Sequence, residues 1–438
     1  MKDRNMEYAE TLSKLIQVPT ISVNDQKDFS VFYGFHDLLR ETFPGVFRVC
    51  SFEDFDGSFV LRWQGKSSSF PIMLMHHHDV VEAPGNWQHP PFSGEIADGK
   101  VWGRGTLDTK GGLFAMLQAA EELIADGYSP ERDVYFVSAC TEETDGAGAD
   151  KISREMQKRG IRFSLVLDEG GMIVTEPIGG AKGDFAMIGL GEKGCADLKF
   201  IARSQGGHAS RPGKNTPLVR LGKFMAKMER SRVFRVEMSP VLCRMLQSIS
   251  TTMSNPLKFI LGNATFFRPI LKFVIPAVSS AAGAMMKTTL AFTMASGSEG
   301  TNVLPQEAWV MGNMRYSHHQ GKERSFEAVR KIAKKYDIEM QIVDPGFPSP
   351  LTDMDCRSYQ LVEKAVNQVF PGVHCSPYLM TAASDCRFMC RVSKQCIRFA
   401  PFKITDQQMD SIHGLNEHVD ITSLSPAVDF YRYIITEA

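Results

Sequence analysis

The stretch Phe70-Pro-Ile-Met-Leu-Met75-His76-His77-His78-Asp79 decides the fold. Its first six residues are almost wholly apolar and read as a buried strand. They run straight into three histidines and an aspartate. Two further segments repeat the arrangement. Val134–Ala139 leads into Thr141-Glu142-Glu143, and Phe163–Leu167 leads into Asp168-Glu169-Gly170-Gly171. Strands that are apolar along their length belong to parallel sheets covered on both faces. In open α/β sheets ligands collect at the carboxyl ends of the strands. Three separate segments therefore deliver N and O donors to one sheet edge. Such donors suit zinc, and also manganese or cobalt.

Working outward, Met6–Ile16 and Phe32–Phe43 repeat apolar residues at helical spacing. Leu113, Met116, Leu117, Ala120, Leu123 and Ile124 mark one face of a helix ending at Gly127. A polar helical segment around 149–160 separates the second and third strands. Near residue 187 the pattern shifts. Ala196–Arg203, Thr289–Met294, Ala308–Arg315 and Ile338–Val343 read as strands, and Pro217–Met228 and Ser325–Tyr336 as helices. After Asp344-Pro345-Gly346 the α/β pattern resumes, with a helix at 358–370, a strand at 396–400 and a final helix at 424–435. The expectation is an α/β fold: a mostly parallel sheet with helices on both faces, built from residues 1–186 and 347–438, and interrupted by an α+β domain over 187–346.

Composition bounds the rest. A chain of 438 residues suggests two or three domains. With 43% hydrophobic residues and a net charge of −1, intrinsic disorder is excluded as the main state. The balance of 49 Lys+Arg against 50 Asp+Glu lacks the basic excess of a nucleic-acid binder. Nine cysteines, with no C-x-x-C pair, make neither a disulfide scaffold nor a zinc ribbon. The opening MKDRNMEYAETLSKL has no apolar signal core, so a reducing, cytoplasmic location is expected. The longest apolar region is 257–286. Lys258, Arg268 and Lys272 break it, and Pro269 and Pro276 are expected to interrupt any helix. A membrane span needs about 20 apolar residues without charges. The expectation here is a helical hairpin packed on another surface, with a membrane-touching or lipid-binding surface as the less favoured alternative.

Some chemistry-bearing residues are ambiguous alone. Gly103-x-Gly105-x-x-Asp108 has Asp where a dinucleotide loop has its last Gly, and Asp108 by itself would read as a helix N-cap. Glu142-Glu143 alone would read as a solvated turn, and His413 as a structural loop histidine. Ser296-Gly-Ser298-Glu-Gly300 lacks the first Gly of a serine-hydrolase elbow.

Taken in order, the motifs are more specific. They are His77-x-Asp79-Val80-Val81, Trp87…Pro91-Phe92, Gly103-Arg104-Gly105…Asp108-x-Lys110-Gly111, Thr141-Glu142-Glu143, Asp168-Glu169-Gly170, Gly207-His208-Ala209-Ser210, Asn302-Val303-Leu304-Pro305 and His413-Gly414-x-Asn416-Glu417. This series resembles the two-zinc peptidase and amidohydrolase family of aminoacylase, carnosinase and glutamate carboxypeptidase. Its nearest branch is that of carboxypeptidase S (Gly-X carboxypeptidase) and the N-acyl-amino-acid hydrolases. The resemblance covers residues 5–437.

It implies two Zn2+ ions, with Co2+ or Mn2+ able to take the same donors. Asp108 would bridge them. Glu143 and His413 would complete one site, and His77 with Asp168 the other, Glu169 being the alternative fifth ligand. Asp79, two residues beyond His77 and so on the same strand face, would orient its imidazole. His76 and His78 then point the other way, as packing residues; His76 stands where the family commonly has Gly. Glu142 would be the general base. His208 would steady the oxyanion, often across a dimer, while Arg315 and Asn302 would hold substrate, Arg315 through its free carboxylate. Ser384-Asp385-x-Arg387 would be structural support. The inserted domain would act as lid and dimer contact, and 257–286 as an apolar acyl pocket or its cover. The implied activity is hydrolysis, by metal-activated water, of an amide next to a free α-carboxylate, in a small-molecule N-acyl amino acid or dipeptide-like substrate. The alternative is a degenerate, non-catalytic member that binds peptides or acyl amides.

Overall fold

The computed structural model describes residues 4–347 and 349–438. Its core is a ten-stranded sheet. Along the sheet the strands run 51–55, 58–63, 132–138, 67–75, 165–168, 396–398, 184–192, 173–175 and 403–404, with 374–380 also paired to 184–192. The central strands Arg132–Ser138, Ser67–Met75, Leu165–Asp168 and Cys396–Arg398 are mutually parallel. Their alternate side chains feed two cores, as the twofold period of a strand requires. Ile72 and Leu74 pack with Leu113, Leu117 and Ala120 of the helix Lys110–Ala125 and with the C-terminal helix Leu424–Glu437. Met73 and Met75 pack on the opposite side with Ile152 and Met156 of the helix Ala147–Lys158. The fold is the expected mixed α/β type with a large, mostly parallel sheet.

One sheet edge is an antiparallel hairpin, Ser51–Phe55 with Ser58–Trp63, that the sequence reading omits. Its signal is Asp56-Gly57, both at positive φ, the chemistry of a two-residue hairpin turn.

A second, antiparallel sheet orders its strands 289–296, 307–316, 194–203 and 339–344. The helices Pro217–Arg230 and Lys322–Lys335 cover one face, with Leu221, Phe224, Val329 and Ile332 against Leu198 and Phe200. The strand Asp184–Glu192, which runs through residue 187, belongs to the large sheet. The chain therefore crosses between the sheets at Lys193. It returns close by, where the Thr352 amide donates to the Leu190 carbonyl at 2.7 Å.

The apolar region differs from its expectation. Pro269 and Pro276 both lie inside one continuous helix, Ala264–Val278. Each proline forfeits one backbone donor. Burial of Ala264, Leu271 and Ile275 against Leu242, Leu246, Phe185 and Met187 compensates for that loss. Instead of a hairpin there are three helices, Leu257–Gly262, Ala264–Val278 and Ser280–Met285, set beside a fourth, Pro240–Ser250. They share a core with a strand of the large sheet rather than with the inserted sheet.

Candidate metal centre

The three strand ends and two distant loops converge. His77 Nε2 lies 3.1 Å from Asp108 Oδ1, and His413 Nε2 lies 3.1 Å from Asp108 Oδ2. Asp108 thus offers one carboxylate oxygen to each imidazole. His413 Nε2 is also 3.0 Å from Glu143 Oε2, and His77 Nε2 is 4.0 Å from Glu169 Oε1. Two donors of one tetrahedral zinc, bonded at about 2.0–2.2 Å, stand roughly 3.3 Å apart. The three spacings of 3.0–3.1 Å are close to that edge, so these residues fit a pair of divalent ions sharing Asp108. Donor atoms of His77, Asp108 and Glu143 lie within 4.8 Å of one another, as do those of His77, Glu142 and Glu169. Asp168 is buried next to them, with Oδ2 accepting from the Cys386 amide at 2.7 Å. The N-cap reading of Asp108 fails, because the helix Lys110–Ala125 is capped at Thr109.

The electrostatics describe a site that needs cations. Burial pushes Glu142 and Glu169 well above the usual carboxylate range, and raises Asp168 to about 6. Hydrogen bonds to Asp108 and Glu143 raise His413 to about 10. Burial pulls His77 down, but Asp108 and Asp79 outweigh it and its pKa stands well above normal. Acids this crowded and buried are costly unless a positive charge joins them.

Several groups hold the donors in place. His77 Nδ1 lies 3.0 Å from the Asp79 carbonyl and 3.3 Å from Asp79 Oδ1. The same Asp79 carboxylate accepts from the amides of Glu142 at 3.2 Å and Glu143 at 3.0 Å. One buried acid therefore orients two candidate ligands and the expected base together. Glu417 does comparable work between two loops. Its carboxylate takes Arg104 Nη1 at 2.7 Å and the amides of Gly105, Leu107 and Asp108 at 3.1, 2.9 and 3.2 Å. His76 is buried and faces away from the ligands. Its Nδ1 pairs with Thr109 Oγ1 at 2.9 Å and its Nε2 with the Tyr431 hydroxyl at 2.5 Å, while burial takes its pKa down to about 3. His78 stacks on Phe35, with ring centroids 5.3 Å apart. Both are packing residues, as strand alternation requires.

Asp385 and Arg387 come closer to the chemistry than their reading as structural support suggests. Arg387 Nη1 is 3.7 Å from Glu142 Oε1. Asp385 is buried with neither carboxylate oxygen hydrogen-bonded. Their motif was visible in the sequence, but only the fold brings it to Glu142.

The inserted residues stand apart from the cluster. His208 is exposed on a short strand paired with Val303–Leu304, and the Ala209 amide donates to the Asn302 carbonyl at 2.9 Å. Among the described residues, no hydrogen bond or ion pair links His208, Asn302 or Arg315 to the metal ligands. Arg315 Nε donates to Asn313 at 3.1 Å, and its Nη1 is buried without a partner. Nearby, buried Lys193 donates to the Ala284 carbonyl at 3.0 Å and Thr289 Oγ1 at 3.1 Å. Burial, then Arg315, bring its pKa down to about 7.

Known proteins carry the same pattern. Residues 73–437 match the model of Peptidase family M20/M25/M40. The chain is 30% identical to a probable carboxypeptidase S-like 2 of Dictyostelium discoideum, over 98% of this chain and 85% of that one. It is 30% identical to the human N-fatty-acyl-amino acid synthase/hydrolase PM20D1, over 100% and 89%. Among solved structures, the M20 family metallo-carboxypeptidase Sso-CP2 of Sulfolobus solfataricus superposes with a TM-score of 0.72 at 17% identity, over 99% and 98% of the two chains. A dinuclear metal-binding peptidase of Bacillus subtilis gives 0.58 at 12%, over 98% and 97%. With its ligand-bearing strand ends inside that match, this chain belongs to peptidase family M20/M25/M40 and is a metal-dependent amide-bond hydrolase.

Proposed function

We propose that the chain is a two-zinc hydrolase that cuts an N-acyl amino acid, or a dipeptide-like molecule, at the amide next to a free α-carboxylate. The observation that carries this reading is the Asp108 carboxylate, with one oxygen toward His77 and the other toward His413, and Glu142 alongside. His413, Glu143 and Asp108 would hold one ion, and His77 and Asp108 the other. Bound there, a divalent ion supplies Lewis acidity, acidifying water and polarising the amide carbonyl. Glu142 takes the proton from the attacking water and returns it to the leaving nitrogen. The C–N bond breaks, giving a carboxylic acid and a free amine. Arg387 steadies the Glu142 carboxylate.

Half-buried Arg315 and buried Lys193 support capture of the substrate carboxylate, since Arg315 Nη1 is a donor without a partner. His208 and Asn302 lie outside the cluster, which supports a homodimer in which a second copy's insert completes the site and His208 steadies the oxyanion. The relatives named for fatty-acyl amino acids and for carboxypeptidase S favour acyl-amino-acid and peptide substrates respectively. Nine free cysteines support a reducing, cytoplasmic setting.

For the fifth ligand, resemblance points to Asp168 and proximity to Glu169. Metal analysis of Asp168→Asn and Glu169→Gln separates them, because only the ligand's variant loses one equivalent. The activity is tested by mass-spectrometric hydrolysis with zinc-loaded protein. The panel holds N-acyl amino acids of short and long chain, dipeptides, and the C-terminal amide of each. Cleavage of the acids but not the amides is expected. No cleavage with zinc, cobalt or manganese would overturn the proposal and favour the non-catalytic reading.

A further inference from the structure

The helix Ala264–Val278 is apolar on nearly every side, yet only one side is covered. Ala264, Leu271 and Ile275 face the core. Phe266, Ile270, Phe273, Val274 and Val278 face solvent, with Phe266 79%, Phe273 71% and Val278 77% exposed. Their spacing of four, three, one and four residues makes a single stripe along the helix. Phe259 of the preceding helix, also exposed, extends it. A helix that is hydrophobic all round is normally buried, and contiguous exposed apolar surface marks an interaction site.

The charge around this stripe says what covers it. From Met238 to Ser298 the chain has no Asp or Glu, while Arg244, Lys258, Arg268, Lys272 and Lys287 fall in that span, in a chain whose net charge is −1. Arg268 is paired with Glu237 at 3.0 Å. Among the described residues Lys258 and Lys272 form no ion pair; the Lys272 ammonium lies 4.9 Å from the Phe273 ring centroid. Cations flanking exposed phenylalanines are the makeup of a helix that lies in a lipid–water interface. A second copy of this face is a poor partner. In a twofold contact like cations would meet like, and the neighbouring carboxylate of Glu237 is already paired with Arg268. A 15-residue helix, at 1.5 Å per residue, is only about 22 Å long. A single stripe on a helix of that length is narrow beside the roughly 800 Å² per partner that a stable protein interface buries. It is also too short to cross a hydrocarbon core of about 30 Å, and no helix among the described residues is long and apolar enough to span a membrane.

We infer that the stripe Phe259–Phe266–Ile270–Phe273–Val278 seats the protein peripherally on an anionic lipid bilayer, with Lys258 and Lys272 among the phosphates. This takes the less favoured of the two expectations for 257–286, a membrane-touching surface, over the packed hairpin. It does not depend on which amide the enzyme cuts.

The test is co-sedimentation of the full chain with vesicles of phosphatidylcholine, and with vesicles in which about a third is replaced by phosphatidylglycerol. Binding is expected to the anionic vesicles and to fall with added salt. The double variant Phe266→Ser/Phe273→Ser should lose at least tenfold in affinity while keeping its melting temperature. Each of Lys258→Gln and Lys272→Gln should lose about fivefold on anionic vesicles only. A Phe273→Trp probe should shift its emission to the blue when vesicles are added. Absence of binding to either vesicle, or undiminished binding by the double serine variant, would overturn the inference. So would a dimer in sedimentation velocity that the double serine variant dissolves, since the face would then belong to a second copy.

Discussion

At the scale of single residues, the proposed site divides into groups that would bind metal, a group that would move a proton and groups that hold these in place. Glu142→Gln keeps the shape and removes the base. We expect it to retain two equivalents of metal and to lose about 10²- to 10⁴-fold in kcat. Activity surviving in that variant would show that the proton goes elsewhere. His76 offers a second test. A Cβ on Gly112 would collide with the His76 ring. Gly112→Ala should therefore destabilise the protein by about 1–3 kcal/mol, as overpacking does. In the His76→Gly background the same substitution should cost much less, and equal costs in urea titrations would refute the coupling. The sequence marks His76 as a departure from the usual Gly, and strand alternation turns it away from the ligands. Its partners Thr109 and Tyr431 could not be read, because Tyr431 lies 355 residues away and is brought in only by the last helix.

At the scale of elements, the strand-end motifs were legible because apolar runs that stop at acids and histidines are distinctive. The hairpin over 51–63 and the strand 184–192 were not. The hairpin hides between the helix Pro44–Val49 and the strand Ser67–Met75, behind a two-residue turn, and the strand merges with its successor across the single residue Lys193. The helix Ala264–Val278 was misjudged because local proline chemistry was weighed without the packing that overrides it. The loops 103–108 and 413–417 show the opposite case, two irregular segments fixed by one buried carboxylate. Glu417→Gln leaves Arg104 buried and uncompensated. We expect a loss of about 3–5 kcal/mol in unfolding free energy, together with weaker metal retention as His413 loses its anchor. A variant as stable as the parent would mean that Glu417 is dispensable.

At the scale of the whole molecule, metal and fold are linked. The ligands come from three strands and two loops, so chelation should lower the melting temperature. Zinc added back should restore it, by about 4 kcal/mol at a thousandfold excess over Kd. An unchanged melting curve after verified metal removal would contradict this. Acid should weaken the fold as well. Burial holds the pKa values of His36, His76 and His78 below the ordinary 6.5. For groups depressed in the folded state, the stabilisation is complete above about pH 6.5 and fades as the pH falls below it. Each such histidine costs up to about 1.4 kcal/mol per pH unit. Urea midpoints measured from neutral to about pH 5 should fall, and fall less steeply in His36→Phe.

The chain leaves the large sheet at Lys193 and comes back to it beside Leu190. The inserted sheet and its two covering helices hang from that one doorway, while the helices between 240 and 285 pack back on the large sheet. The segment that would grip the substrate is thus grafted onto the segment that does the chemistry, and neither interrupts the other's pairing. Substitutions that retune specificity can accumulate across 194–344 while the donor set stays fixed. By the same logic, that block could be exchanged between relatives as a cassette.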